Sequence, residues 1–84
     1  MKSHKEFKPA LLKLGEKIYH RRVLKNYTTK GIAPMLSLTP EAYRNIEKGE
    51  SDPSFTTLLQ ITKVLEIDHC ELMNSLQLEE TLEV

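Results

Sequence analysis

The stretch YTTKGIAPMLSLTPEAYRNIEKGE, residues 27–50, decides the fold. Thr39 is an N-cap type of residue, and Pro40 behind it suits a first helical position, where its missing N–H and fixed φ do no harm. Gly49 is a natural left-handed stop. Between them Tyr43 and Ile46, three apart, point one way, while Glu41, Arg44, Asn45 and Lys48 take the remaining sides. The spacing predicts a helix over 39–48 with one face packed and another free. Upstream, Thr28 is a second N-cap type, and Ile32, Met35 and Leu36 mark a helix over 28–36. Gly31 there costs about 1 kcal/mol relative to Ala, and Pro34 removes an amide that would bond back to Lys30, at about 3 kcal/mol in a true helix interior. This helix is therefore expected to start late or bend, leaving the Lys30 carbonyl without its usual partner.

Outward from that pair, Leu11, Leu14, Ile18 and, less regularly, Val23 and Leu24 recur at helical spacing between Pro9 and Tyr27, giving a first helix. SDPS at 51–54 is a turn cluster, and Phe55, Leu58, Leu59, Ile61, Thr62 and Leu65 trace a fourth helix. Asp68 and Glu71 have capping-box spacing, opening a fifth through Leu72, Met73 and Leu76. QLEETLEV at 77–84 reads equally as a strand or a frayed helix end. The expected fold is all-α, a compact five-helix bundle. Its expected core is Leu14, Ile18, Ile32, Leu36, Leu38, Tyr43, Ile46, Leu58, Ile61, Leu65 and Leu72.

A chain of 84 residues with 39% hydrophobic and 29% charged residues has the size of one domain and a composition that excludes wholesale disorder. No apolar run approaches the roughly 18 residues of a membrane span, and the lysine-rich start lacks the pattern of a secretory signal, so a cytoplasmic location is expected. The single cysteine, Cys70, excludes an internal disulfide and reads as a buried packing thiol. His4, His20 and His69 are scattered, without zinc-ligand spacing. No nucleophile, base and acid fall together and no phosphate loop is present, so neither catalysis nor a cofactor or metal is expected. The net charge is zero but unevenly placed. Residues 1–30 carry nine Lys/Arg against two Glu, a net +7, and residues 31–84 carry three against ten acids, a net −7. A basic half fits a polyanionic or acidic partner, but equally two halves that face each other within the fold.

Two short helices separated by a tight turn form the arrangement in which one helix braces and the next lies in a DNA major groove. Here the residues become more specific. LGEKI at 14–18, Arg22, residues 27–50, PSFTTLLQITKVLEI at 53–67 and ELM at 71–73 resemble the Cro/phage-repressor, or XRE-type, helix-turn-helix family. The features that carry the likeness are Ala33, Leu36, Leu38, the Ile46-Glu47-x-Gly49 ending and the Pro53 lead into the fourth helix. The resemblance covers about residues 14–76 and implies a lambda-repressor-like DNA-binding domain there, with a basic lead-in at 1–13 and an acidic tail at 77–84.

The resemblance implies that residues 39–48 are the recognition helix, that Thr28 and Thr29 open the brace helix against phosphate beside Lys30, and that Thr39, Glu41, Arg44, Asn45 and Lys48 lie near DNA. Arg44 has the fork for guanine, Asn45 suits adenine or a phosphate, Lys48 suits backbone charge, and Glu41 accepts from cytosine N4. Arg22 is implied to pair with Glu47 as a structural ion pair. Departures from the family are Thr29 where glutamine is common, Gly31 and Pro34 in a normally continuous brace helix, and Ser37 in place of the turn glycine. Pro40 offers no donor, and Glu41 repels phosphate. Two functions follow from the likeness: a small sequence-specific regulator of transcription that binds double-stranded DNA as a homodimer, without a separate ligand-sensing domain, or a protein-interaction module, such as the antitoxin partner of a toxin, that keeps the fold with little or no DNA binding.

Overall fold

The computed structural model describes residues 8–74, and among them all regular structure is helical. The helices are α1 (Lys8–Leu24), α2 (Thr29–Met35), α3 (Pro40–Glu47), α4 (Phe55–Leu65) and α5 (His69–Asn74). All five helices expected from the sequence are present, although α1 stops at Leu24, short of Tyr27. The expectations for the first seven residues, for Leu76 and for the tail at 77–84 fall outside the described residues.

Side-chain oxygens set where the helices begin. Thr28, Thr39 and Ser54 each accept from the backbone N–H three residues on, Gly31 at 2.9 Å, Ala42 at 3.1 Å and Thr57 at 3.1 Å. Each thereby satisfies a donor that a helix start leaves orphaned. Asp68 Oδ1 accepts from Cys70 N at 3.0 Å. The expected reciprocal bond from Glu71 is replaced by a contact across the fold, since its carboxylate lies 3.9 Å from Lys17 Nζ and 4.0 Å from Arg21 Nη2.

One device closes four of the helices. Asn26, Ser37, Gly49 and Glu66 take left-handed φ of 64°, 59°, 73° and 57°. The next N–H then reaches back five residues: Tyr27 to Arg22 O at 3.1 Å, Leu38 to Ala33 O at 2.9 Å, Glu50 to Asn45 O at 2.9 Å and Ile67 to Thr62 O at 3.0 Å. These are Schellman-type ends, in which orphan carbonyls find donors.

α2 does not start late. Gly31 sits third in the helix, where the Thr28 cap holds its N–H, and Pro34 lies in the final turn. Pro34 has no N–H to return to the Lys30 carbonyl, but both residues are exposed, so solvent can serve that oxygen. The proline limits the length of the helix instead of displacing its start.

The core gathers Leu14, Ile18, Ile32, Leu36, Tyr43, Ile46, Leu58, Ile61, Leu65 and Leu72, with Leu11, Ala33 and Ile67 added to it. Leu38 is half-buried at its edge. Cys70 corrects the sequence reading, for it is exposed. It stands two residues from the buried Leu72, which on a helix points it to the opposite side. Phe55 and Leu59 of α4 also stay exposed, at 65% and 40%.

α1 and α3 approach to backbone contact. A Cβ at Gly15 would stand 2.3 Å from the Glu47 carbonyl oxygen and 2.7 Å from that of Ile46. At Gly49, besides the left-handed φ, a Cβ would lie 2.9–3.0 Å from atoms of Leu12. Lys8 Nζ donates to the Gly49 carbonyl at 2.9 Å. On the far side of α1, Arg21 donates to Glu66 O at 2.8 Å and Lys25 pairs with the Glu66 carboxylate at 2.5 Å. Lys17, Arg21 and Lys25 of the basic half thus face acidic residues of the other half, which answers part of the charge asymmetry inside the fold.

Candidate nucleic-acid interface

α2 and α3 are joined by four residues that turn the chain through the left-handed Ser37, and they pack on each other through Ile32, Ala33 and Leu36 below and Tyr43 and Ile46 above. Tyr43 and Ile46 are buried, which fixes the roll of α3. With 100° between successive residues, Glu41 and Lys48 then lie at the middle of the free face, Arg44 on the flank toward Glu47 and Asn45 on the opposite flank. Glu41, Arg44 and Lys48 are exposed and Asn45 is half-buried.

The far end of α3 is anchored by charge. Arg22 Nε donates to Glu47 Oε2 at 2.7 Å, and its Nη2 to Oε1 at 3.3 Å, a forked pair with both side chains about nine-tenths covered. Arg22 Nη1 donates to the Tyr27 carbonyl at 2.9 Å, and the Tyr43 hydroxyl donates to Glu47. The bond to Glu47 raises the Arg22 guanidinium above its ordinary value against the opposing effect of burial. Burial first, and the Glu47 carboxylate second, push the Tyr43 phenol well above its ordinary 10. The pair implied by the resemblance is therefore present, and it engages the cation of Arg22 within the fold. The guanidinium carbon also sits 5.4 Å from the centre of the Tyr19 ring, within cation–π range.

Two capped helices, a tight turn between them and a third element locking the second in place make a helix-turn-helix. The model of the Helix-turn-helix family HTH_3, the Cro/C1-type group, matches residues 18–72. The chain belongs to this family. No curated protein matches it significantly. Members of HTH_3 are DNA-binding regulators, so α3 occupies the position of a recognition helix and α2 that of its brace.

Within the HTH_3 frame the residues singled out from the sequence separate into groups. Thr29, Arg44 and Lys48 line one cleft of about 310 Å³ between α1, the start of α2 and the end of α3. Arg44 Nη1 makes a long, exposed contact to Thr29 Oγ1 at 3.4 Å, between α3 and α2. Thr28 and Thr39 are exposed but engaged as caps, which leaves each hydroxyl a proton to donate. Lys30 is exposed on α2, outside the cleft. Glu16 and Tyr19 of α1 complete the cleft with Arg22 and Glu47. Neither Glu16 nor Tyr19 is visible in the sequence as a site residue. The only signal was their position three and six residues before Arg22, on the same side of one helix.

Among the described residues, no group of His, Cys, Asp and Glu side chains converges as metal ligands, and no helix is long and apolar enough to cross a membrane.

Proposed function

We propose that this chain is a sequence-specific regulator of transcription that binds double-stranded DNA as a homodimer in the cytoplasm, performs no catalysis and needs no cofactor. The observation that carries this reading is the free face of α3: a capped helix, fixed in roll by Tyr43 and Ile46, leaves Thr39, Glu41, Arg44 and Lys48 exposed with Asn45 half-buried at its flank. Thr28, Thr29 and Lys30 at the start of α2 supply donors and charge toward the backbone. A homodimer suits a duplex whose half-sites lie about 34 Å apart, and the exposed Phe55 and Leu59, one turn apart on α4, are apolar surface that a monomer leaves to solvent.

Binding to a randomised duplex library across a salt series tests the reading. A preferred sequence should emerge, and Lys48→Ala should weaken binding to every duplex alike, lowering the slope of log affinity against log salt by about 0.9. Sedimentation at binding concentrations should give a dimer that Phe55→Ser dissociates. A folded wild type with neither sequence preference nor salt-dependent binding would transfer the fold to the second reading, a protein-interaction module such as the antitoxin partner of a toxin. The exposed Glu41 beside Pro40 favours that reading, because a carboxylate at the head of the helix repels phosphate.

A further inference from the structure

The cleft between α1 and α3 adds an assignment that rests on the DNA-binding reading. It has cations at its rim in Arg44 and Lys48, hydroxyls in Thr29 and Tyr19, and a carboxylate in Glu16. Its inner wall is the Arg22–Glu47 pair, whose opposite charges face each other at 2.7 Å and contribute little net field. The charges left over are two cations against Glu16. Arg44 reaches back into this cleft, to Thr29, and its flank of α3 is the one nearest α1. On that flank, with its guanidinium 3.4 Å from Thr29, Arg44 lies to one side of the middle of the free face, where base edges would meet Glu41.

We propose that this cleft seats one phosphate of the DNA backbone, with Arg44 and Lys48 supplying charge and Tyr19 a hydroxyl donor, so that Arg44 positions the duplex and base discrimination falls to Asn45 and Glu41. Tyr19 is suited to the role. Its ring is held beside the Arg22 guanidinium while 45% of the residue remains exposed. Glu16 is the brake on this seat, since it places a negative charge in the wall that a phosphate must approach. A backbone contact accepts any cation of the right reach, whereas a guanine fork does not, and that difference makes the assignment testable.

The experiment compares the full chain with Arg44→Ala, Arg44→Lys, Tyr19→Phe, Glu16→Gln and Asn45→Ala on a preferred duplex, its single-base variants and a random duplex, over a KCl series. Arg44→Ala should weaken preferred and random duplexes by the same factor, about tenfold, and lower the salt slope by about 0.9. Arg44→Lys should recover most of that loss. Tyr19→Phe should weaken both duplexes equally with the slope unchanged, and Glu16→Gln should tighten both. Asn45→Ala should flatten discrimination at one base pair. A duplex carrying a single methylphosphonate at the contacted phosphate should lose affinity for wild type but lose nothing further with Arg44→Ala.

The seat is overturned if Arg44→Ala flattens discrimination at a base pair while random binding holds, if Arg44→Lys fails to restore affinity, or if Tyr19→Phe and Glu16→Gln leave binding unmoved. Each of those results leaves the regulator reading standing, whereas a wild type that binds no duplex removes both.

Discussion

Tyr43 is fully buried, and its hydroxyl donates to the carboxylate that also holds Arg22. A buried phenol next to a negative charge keeps its proton, so the folded state binds that proton more tightly than the unfolded chain does. The contribution is complete below the ordinary phenol value of about 10 and is lost as pH rises above it, at up to about 1.4 kcal/mol per pH unit. Chemical denaturation between pH 8 and 11 should show wild type losing stability faster than Tyr43→Phe, and parallel curves would deny the coupling. At neutral pH Tyr43→Phe should cost about 1.5–3 kcal/mol, because it takes a donor from a carboxylate. Arg22→Ala should cost more, about 3–5 kcal/mol by thermal or urea unfolding, since it leaves Glu47 about nine-tenths covered without its counter-charge.

At the level of the helices, the ends carry strain that the interiors do not. Three of the four left-handed stops are filled by residues with a Cβ: Asn26, Ser37 and Glu66. The Ser37 turn sets α2 against α3, and serine has no side-chain reason to prefer that region. Ser37→Gly should raise stability by about 1 kcal/mol, read from a denaturation midpoint with unchanged slope. Pro34→Gln should also stabilise, by about 1 kcal/mol or more, by returning an N–H to Lys30. If stability falls instead, the proline ring fits a backbone that glutamine does not. The helices were legible because caps and stops are local chemistry. Thr28, Thr39 and Asp68 act within three residues of themselves, and a sequence shows that distance directly. Glu71 and Cys70 were misread because their surroundings are set by α1 and by the roll of α5, neither of which lies nearby in the chain. The late start expected of α2 failed for a related reason, since the cost of Pro34 depends on where the helix ends.

For the molecule as a whole, the governing contact is the one least advertised in the sequence. Gly15 reads as a weak point in a helix, yet it is where α1 meets the last carbonyls of α3. Gly15→Ala gains about 1 kcal/mol of helix propensity. It also drives a methyl group into backbone 2.3 Å away, so it should lose about 1–3 kcal/mol overall in urea titrations; a more stable variant would contradict the close approach. Less of the candidate site than of the fold was legible. The free face of α3 followed from Tyr43 and Ile46, but the cleft that gathers Arg44, Lys48, Glu16 and Tyr19 depends on how closely two distant segments approach. The Gly15 contact, the Gly49–Leu12 contact and the Arg22–Glu47 pair all grip the same end of α3, while its other end is held through the turn and the packing of Leu38 and Tyr43. α3 is thus joined to α1 through its carboxyl end, where two backbones meet. On the DNA-binding reading proposed above, substitutions at Leu12 or Gly15 would shift α3 as a body, and an altered operator preference would then arise from α1 with every side chain of α3 left in place.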